Sequence, residues 1–241
     1  HVPLFTSKKF ANVSKRGLYG DVISELDWSV GEIIKTLKAK GLDDNTLVVF
    51  TSDNGPWMVL DHMGGSAGML KGSKTTSYEG GVREPTIFWS PTMVQPGVIH
   101  EIGSTLDLLP TICDLAGIAS PEGKTLDGYS LKKVLASGQN SPRKEMLYYH
   151  GSRVFGARIG DYKAYFYEIP EYGYPQKLKK LEEPTLYTLQ VDPAERWNIA
   201  KRNPDILEEI ASYVDQHQQS FDLPASELNK YPAFSKRKIN Q

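Results

Sequence analysis

The sequence has little cysteine, no excess of charge and no long apolar run. Among its 241 residues there is one cysteine, Cys113, so a disulfide framework and a metal-binding cysteine pair are excluded. The 28 basic and 29 acidic side chains leave a net charge of −1, which does not favour nucleic acid or an anionic membrane as a partner. No membrane span is predicted, because no apolar run reaches bilayer length. This composition is typical of a soluble globular protein.

The chain begins with His1 and lacks the charged and apolar segments of a signal peptide. We therefore expect either that upstream residues were removed or that the chain is a piece of a longer protein. Cys113 lies in the apolar pattern LLPTICDLAGI, which predicts a buried thiol without a chemical role.

The first part of the sequence predicts alternating helices and strands. Apolar residues recur at helical spacing from Asp21 to Lys40, and Gly41 is a stop signal. The run NTLVVFTSD is typical of a central strand buried in a largely parallel sheet, and PTIFWSP predicts another strand. The stretch STLDLLPTICDLAGI then predicts a helix with Ser104 or Thr105 as its N-cap. This order of elements indicates an open α/β sheet.

The pattern changes near residue 145. The short, aromatic stretches MLYYHG, VFGARIGDYKAYFYE and PTLYTLQVDP predict antiparallel strands, and PDILEEIASYVDQHQ predicts a late amphipathic helix. We therefore predict an α/β fold in two parts. Residues 1–144 belong to a large domain with a mostly parallel sheet and flanking helices, and residues 145–241 form a small antiparallel α+β subdomain.

Two polar side chains, Asp53 and Asn54, end the predicted central strand, and Gly55 follows them. In open α/β sheets, ligands bind beyond the carboxyl ends of the strands. A neighbouring carboxylate and amide supply hard oxygen ligands, which suit calcium or magnesium better than zinc or copper. Since Asp-Asn-Gly is also a common turn sequence, an ordinary turn is the alternative.

A long stretch rich in glycine, serine and threonine runs from Gly64 to Gly81 and predicts a binding loop. It carries Lys71 and Lys74 among small residues that let backbone amides approach an anion. His1 adds an imidazole that exchanges a proton near neutral pH. A metal and a cationic side chain together indicate an oxyanion site. Taken singly, His1 is typical of a surface terminus and Lys71 of a solvated side chain.

Eight motifs occur along the whole chain in the order of a known family: HVP, YGDVISELDWSVGEI, TLVVFTSDNGP, LKGSKTTSYEGGVREP, STLDLLPTICDLAG, TLDGYSL, GDYKAYF and LYTLQVDPAERWNIA. In these motifs the sequence resembles the sulfatases of the alkaline-phosphatase-like superfamily, especially the branch of arylsulfatase A and N-acetylgalactosamine-6-sulfatase. The most specific of them contains Lys74 and ends in YEGGVREP.

The resemblance implies a role for individual residues. Asp53 and Asn54 match the second pair of calcium ligands in the family, and magnesium is the alternative metal. Lys74 matches the lysine that contacts the sulfate group, and His1 matches a histidine with the same contact. Both would be catalytic and substrate-binding residues.

The resemblance also predicts the surroundings of the site. In this branch the loop after Asp-Asn-Gly and the start of the small subdomain border the substrate cleft, so His62 and His150 are predicted to bind substrate. Lys71, Glu79 and Arg83 are expected to be mainly structural, since the last two lie where a charge pair can hold the loop. The implied partner is a sulfated small molecule or glycan.

One motif of the family is missing. Members carry C/S-x-P-x-R, whose cysteine or serine becomes the formylglycine nucleophile, and the sequence contains no match. The first pair of calcium-binding aspartates is also missing. The chain therefore resembles the carboxyl-terminal part of a sulfatase, with the amino-terminal half as an expected partner and no activity expected without it. By family analogy the compartment is periplasmic, secreted or lysosome-like.

Two alternatives stay open. A phosphate- or phosphonate-ester hydrolase of the same superfamily shares the strand-end metal ligands, although YEGGVREP argues against it. A catalytically inactive fragment retains the cleft as a binding surface. The upstream coding sequence discriminates among these possibilities. A C-x-P-x-R motif supports a sulfatase, and another nucleophile supports the phosphate- or phosphonate-ester hydrolase. An altered motif supports the inactive fragment.

Overall fold

The computed structural model describes residues 2–123, 125–169 and 179–220 of the chain. Its helices are Gly17–Lys40 (α1), Glu79–Val82 (α2), Leu108–Ala116 (α3), Lys132–Ser137 (α4) and Pro204–Gln219 (α5). Its strands are Val48–Thr51 (β1), Thr86–Trp89 (β2), Glu145–His150 (β3), Arg153–Ile159 (β4), Tyr162–Tyr167 (β5) and Lys180–Thr188 (β6). Within the described residues, no helix combines the length and the apolar character needed to cross a membrane.

The chain divides into two compact units. The first unit comprises His1–Ala67 and Arg83–Lys144, and the second comprises Gly68–Val82 and Glu145–Gln241. Most of the glycine-rich stretch therefore belongs to the second unit, together with the residues of the predicted small subdomain. The assignment of residues 1–144 to one large domain stays a prediction about the whole protein.

The sheet of the first unit consists of β1 and β2, which pair in antiparallel register with Val48 opposite Trp89 and Thr51 opposite Thr86. The sequence predicted largely parallel neighbours for β1, but within the described residues β2 is its partner. The run TLVVF is as apolar as a fully buried strand. With one partner strand, β1 is only half-buried along its length.

The helices of the first unit begin and end where local signals predict. Helix α1 ends at Gly41, whose φ of 64° places it in the left-handed region and whose N–H reaches the carbonyls of Leu37 and Lys38. Ser104 caps a short 3₁₀ turn that leads into α3, and its side chain accepts a bond from the N–H of Leu106. These helix predictions and the burial of Cys113 are confirmed.

The second unit contains a four-stranded antiparallel sheet in the order β3-β4-β5-β6. Alternate residues of these strands point to one face, against which α5 packs through Ile210 and Val214. Ala157, Ala164 and Leu186 from the sheet are completely buried there. The predicted antiparallel strands and the late helix are therefore confirmed.

Candidate active site

The chain turns immediately after β1, at the predicted metal ligands. The hydroxyl of Ser52 donates to the carbonyl of Asn54 at 2.8 Å, and the side-chain amide N–H of Asn54 donates to the carbonyl of Gly55 at 2.9 Å. The amide oxygen of Asn54 is thereby left as an acceptor. Asp53 is exposed, and no hydrogen bond or ion pair of its carboxylate is found within the described residues.

A third oxygen-bearing side chain, Glu84, lies beside this turn. Its Oε1 atom is buried and has no hydrogen-bond partner among the residues described. Burial, and then the charge of Asp53, raise the pKa of Glu84 to about 7. The carboxylates of Asp53 and Glu84 repel each other, and one oxygen of Glu84 is buried without a partner among the described residues. Both features favour a cation binding nearby over an ordinary turn.

These residues make up only part of a metal site. Across residues 2–123, 125–169 and 179–220, no group of three or more His, Cys, Asp or Glu side chains is arranged to hold a metal. Calcium takes six to eight oxygen ligands, so Asp53 and Asn54 would supply a minority of them. Their donor chemistry suits a hard cation, and calcium binding stays a prediction.

His62 lies in the 3₁₀ turn Met58–Met63 of the first unit. Its side chain is 80% exposed, and its Nδ1 atom is 3.5 Å from the carboxylate of Asp61. The exposed ring is accessible to a ligand. Its predicted contact with substrate stays a prediction.

Lys74 occupies the tip of a hydrogen-bonded turn in the second unit. The N–H of Thr76 donates to the carbonyl of Ser73 at 3.0 Å, and the N–H of Ser73 donates to the Thr76 hydroxyl at 3.1 Å. Thr75 has a φ of 80°, the left-handed conformation that a type II turn requires at this position. The backbone of Lys74 is thus fixed, and its side chain is half-buried.

The turn packs against α2 through two glycines. The N–H of Gly80 donates to the carbonyl of Lys71 at 2.7 Å. A Cβ atom on Gly80 would lie 2.5 Å from that carbonyl oxygen, and one on Gly81 would lie 2.3 Å from the carbonyl oxygen of Thr76. Glycine is needed at both positions for close backbone approach. The end of the stretch predicted as a binding loop is therefore a packed helical turn.

Lys71 lies against aromatic rings. Its Nζ atom is 4.1 Å from the ring centroid of Tyr78 and 6.0 Å from that of Tyr187. A cation over aromatic faces is stabilised by the ring quadrupoles. This arrangement agrees with a structural role for Lys71.

His150 ends β3 and lines a cavity of about 360 Å³ within the second unit. The cavity is also bordered by Thr75 and Ser77, which follow Lys74 in the sequence, and by Tyr149. The ring of His150 is held 5.0 Å from that of Phe155. Lys74 and His150, which are 76 positions apart in sequence, therefore belong to elements that meet at one cavity.

A buried charged cluster, which the sequence did not predict, lies behind the turn. The ammonium of Lys163, on β5, lies 2.8 Å from Glu79 Oε1 and 3.6 Å from Glu195 Oε1, and all three side chains are at most 2% exposed. Burial by itself lowers the pKa of Lys163, but Tyr148 and the two glutamates outweigh it and leave that pKa above its ordinary value. The available signal was a lysine between aromatic residues in the strand YKAYFY.

The predicted site residues fall in three places. Asp53, Asn54 and His62 belong to the first unit, Lys74 and His150 belong to the second, and His1 lies outside the described residues. The prediction that the strand end and Lys74 face one cleft stays a prediction. Glu79, which is expected to be mainly structural, accepts a hydrogen bond from the ammonium of Lys163.

The sequence of the chain matches two families over most of its length. Residues 1–118 match the Sulfatase family, and residues 141–240 match the C-terminal region of aryl-sulfatase. The chain belongs to the sulfatase family. The resemblance seen in the motifs is thereby confirmed.

Two human relatives show how much of a sulfatase the chain represents. Arylsulfatase A of Homo sapiens is 39% identical over 229 residues, which are 87% of this chain and 45% of the relative. N-acetylgalactosamine-6-sulfatase of Homo sapiens is 34% identical over 253 residues, which are 95% of this chain and 48% of the relative. This sulfatase chain spans about half the length of the curated relatives it matches.

Solved structures agree with this placement. A sulfatase from Pseudoalteromonas sp. superposes with a TM-score of 0.83 at 26% identity, covering 96% of this chain and 47% of the other. A Bacteroides thetaiotaomicron protein, from work on the metabolism of multiple glycosaminoglycans, superposes with a TM-score of 0.77 at 29% identity, covering 91% and 48%. The predicted alkaline-phosphatase-like fold class is confirmed for this sulfatase chain.

Proposed function

We propose that this chain is the carboxyl-terminal part of an enzyme that hydrolyses sulfate monoesters, with aryl or carbohydrate sulfates as its substrates. Membership of the sulfatase family and the names of the relatives support this reaction. The structural observation that carries the proposal is the position of Lys74 at the tip of a hydrogen-bonded turn, whose following residues Thr75 and Thr76 line a cavity. Such an arrangement suits an anionic group attached to a larger alcohol.

The amino-terminal half of the enzyme is the proposed partner. The chain spans about half of its relatives, and its sequence contains no C/S-x-P-x-R motif. In the first unit, large apolar side chains face solvent, among them Phe5 at 79%, Ile33 at 55% and Ile118 at 62% exposure. A contiguous partner domain would cover such residues, as the core of a larger domain does.

Different residues of this chain would have different roles in binding the sulfate group and in its hydrolysis. Asp53 and Asn54 would contribute to holding calcium, which when bound supplies positive charge next to the sulfate oxygens. Lys74 would donate a hydrogen bond to another sulfate oxygen and stabilise the charge that develops there during reaction. His1 or a lysine would exchange a proton with the leaving alcohol. His62 and His150 would contact the alcohol.

A formylglycine in the amino-terminal half would supply the nucleophile, so the chain by itself would be inactive. The family relationship supports a periplasmic, secreted or lysosome-like compartment. A phosphate-ester hydrolase of the same superfamily is the competing proposal, and it shares the ligands Asp53 and Asn54. Comparing aryl sulfate with aryl phosphate turnover by the full-length protein separates the two.

The test of the proposal compares two neighbouring lysines in the full-length protein that contains this chain. Lys74→Ala should lower kcat for an aryl sulfate by at least ~100-fold, the scale of losing one oxyanion-stabilising donor. Lys71→Ala should lower it by less than about tenfold, because this side chain lies against Tyr78. Circular dichroism and melting should stay nearly unchanged in the Lys74 variant. Equal, mild losses in both variants would contradict the assignment.

A further inference from the structure

Lys163, Glu79 and Glu195 form a cluster of three ionisable side chains buried in the second unit. Each ion removed from water carries a large desolvation cost, and well-packed apolar side chains often give equal or greater stability. Such a cluster instead fixes the orientation of the groups that it binds, since its hydrogen bonds form in one geometry. Its location shows which part of the chain is held in this way.

The cluster and its neighbour Tyr165 bind the segment that follows Lys74 at two positions, Ser77 and Glu79. The hydroxyl of Tyr165 donates to the carbonyl of Ser77 at 3.0 Å and also to the carboxylate of Glu195. The backbone N–H of Glu79 donates to Glu195 Oε2 at 2.7 Å, and its side chain accepts from Lys163. Strand β5 and the turn around Glu195 therefore hold both the backbone and the side chain of this segment.

The position of Glu79 affects the position of the turn through close backbone contacts. Glu79 is the first residue of α2, whose Gly80 and Gly81 touch the carbonyls of the turn with no intervening side chain. A shift of Glu79 would move these glycines and the carbonyl groups that contact them. Because the tip residue Lys74 lies between those carbonyls, its Nζ atom would move as well.

We propose that Lys163 and Glu195 are positioning residues for Lys74, which hold the turn in the geometry that places its ammonium on the sulfate group. This inference rests on the proposed function, in which Lys74 binds sulfate. The two residues do not touch substrate and act through Glu79 and Ser77. The competing explanation is that the cluster only stabilises the second unit.

A double-mutant cycle on the full-length protein separates positioning from stability. Lys163→Met keeps the length of the side chain and removes its charge. In otherwise unchanged protein it should lower kcat for an aryl sulfate by about 10- to 100-fold, since a misplacement near 1 Å can cost about 100-fold. In the Lys74→Ala background it should lower kcat by less than about threefold, because residues that act as one unit are not additive.

The matched control is a second buried ion pair, Arg143 with Asp107, in the first unit. Arg143→Met should lower the melting temperature as Lys163→Met does, but its effect on kcat should be small and the same with and without Lys74→Ala. A second readout is tryptic cleavage after Lys71 and Lys74, which should accelerate in Lys163→Met and stay unchanged in Arg143→Met. A merely stabilising cluster also predicts faster cleavage in its own unit, so the decision rests on kcat: it predicts that the losses of Lys163→Met and Lys74→Ala add.

Tyr165→Phe provides the test if Lys163→Met does not fold, because it removes only the hydroxyl that binds Ser77 and Glu195. A few-fold loss of kcat that disappears in the Lys74→Ala background supports the inference. Additive losses, or unchanged kcat in a folded Lys163→Met protein, would overturn it while leaving the role of Lys74 intact. An absent effect of Lys74→Ala would overturn the proposed function, and this inference with it.

Discussion

The two units of the chain differ in where their apolar side chains lie. In the second unit, Leu186 and Ile210 are completely buried between the sheet and α5. In the first unit, the cluster of buried apolar residues consists of Leu131, Val134 and Leu135 within the described part of the chain. Apolar burial is the main favourable term in folding. The second unit therefore has the core of a stable domain, whereas the first depends on other interactions.

Polar contacts take a larger share in the first unit. The carboxylate of Asp107 is completely buried and accepts bonds from Arg143 and from the backbone N–H groups of Ser104 and Tyr129. The carboxylate of Asp21 likewise accepts three backbone N–H groups, those of residues 12–14. Such bonds set local geometry, but the net contribution of each to stability is modest. A unit built this way fits a larger protein that covers its apolar surface.

The largest expected effect comes from breaking the polar centre of the first unit. Asp107→Ala removes the carboxylate that Arg143 and two backbone groups contact, and breaking a buried ion pair costs about 3–5 kcal/mol. Urea unfolding measures this loss, and hydrogen exchange locates it. Protection should fall in α3 and stay unchanged in β5 and β6. Equal loss of protection in both units would contradict the contrast between them.

A somewhat smaller effect should follow from truncating the core of the second unit. Ile210→Ala removes a completely buried side chain from α5 and should cost about 2–5 kcal/mol. Ile118→Ala in the first unit is the matched control, because this isoleucine is 62% exposed. In the isolated chain the control should stay within about 0.5 kcal/mol of the parent. Similar losses in denaturant unfolding would show that the first unit buries more apolar surface than its structure indicates.

The smallest effect should come from a surface contact between α3 and α4. The Ser130 hydroxyl, followed by the Lys132 ammonium, lowers the pKa of Asp114 below its ordinary 3.8. A depressed folded pKa adds stability that is present above 3.8 and is lost as the pH falls through the folded value. Asp114→Asn should therefore melt slightly below the parent at about pH 7, and the difference should shrink as the pH falls below the ordinary pKa of Asp114. A difference that grows in acid would contradict this sign.

Most elements could be predicted from the sequence because their signals are local. Helical periodicity, the cap at Ser104 and the glycine stop at Gly41 act within a few residues, and α1, α3 and α5 formed accordingly. The alternating aromatic strands after residue 145 also carry their own turn residues. The assignment of Asp53 and Lys74 to the site came from motifs, and both this assignment and their chemistry stay predictions.

Only the tertiary structure decided which distant residues meet. Lys163 binds Glu79 across 84 positions of sequence, and Glu195 binds the N–H of Glu79 across 116. No periodicity or cap encodes such pairs, since they depend on how the sheet and α2 pack. The antiparallel pairing of β1 with β2 likewise depends on the partner strand rather than on the apolar run itself. The sequence by itself determined the family, helices α1, α3 and α5 and the strands, because local signals suffice for those. Long-range packing decided how the segment after Lys74 is bound to a buried, charged cluster.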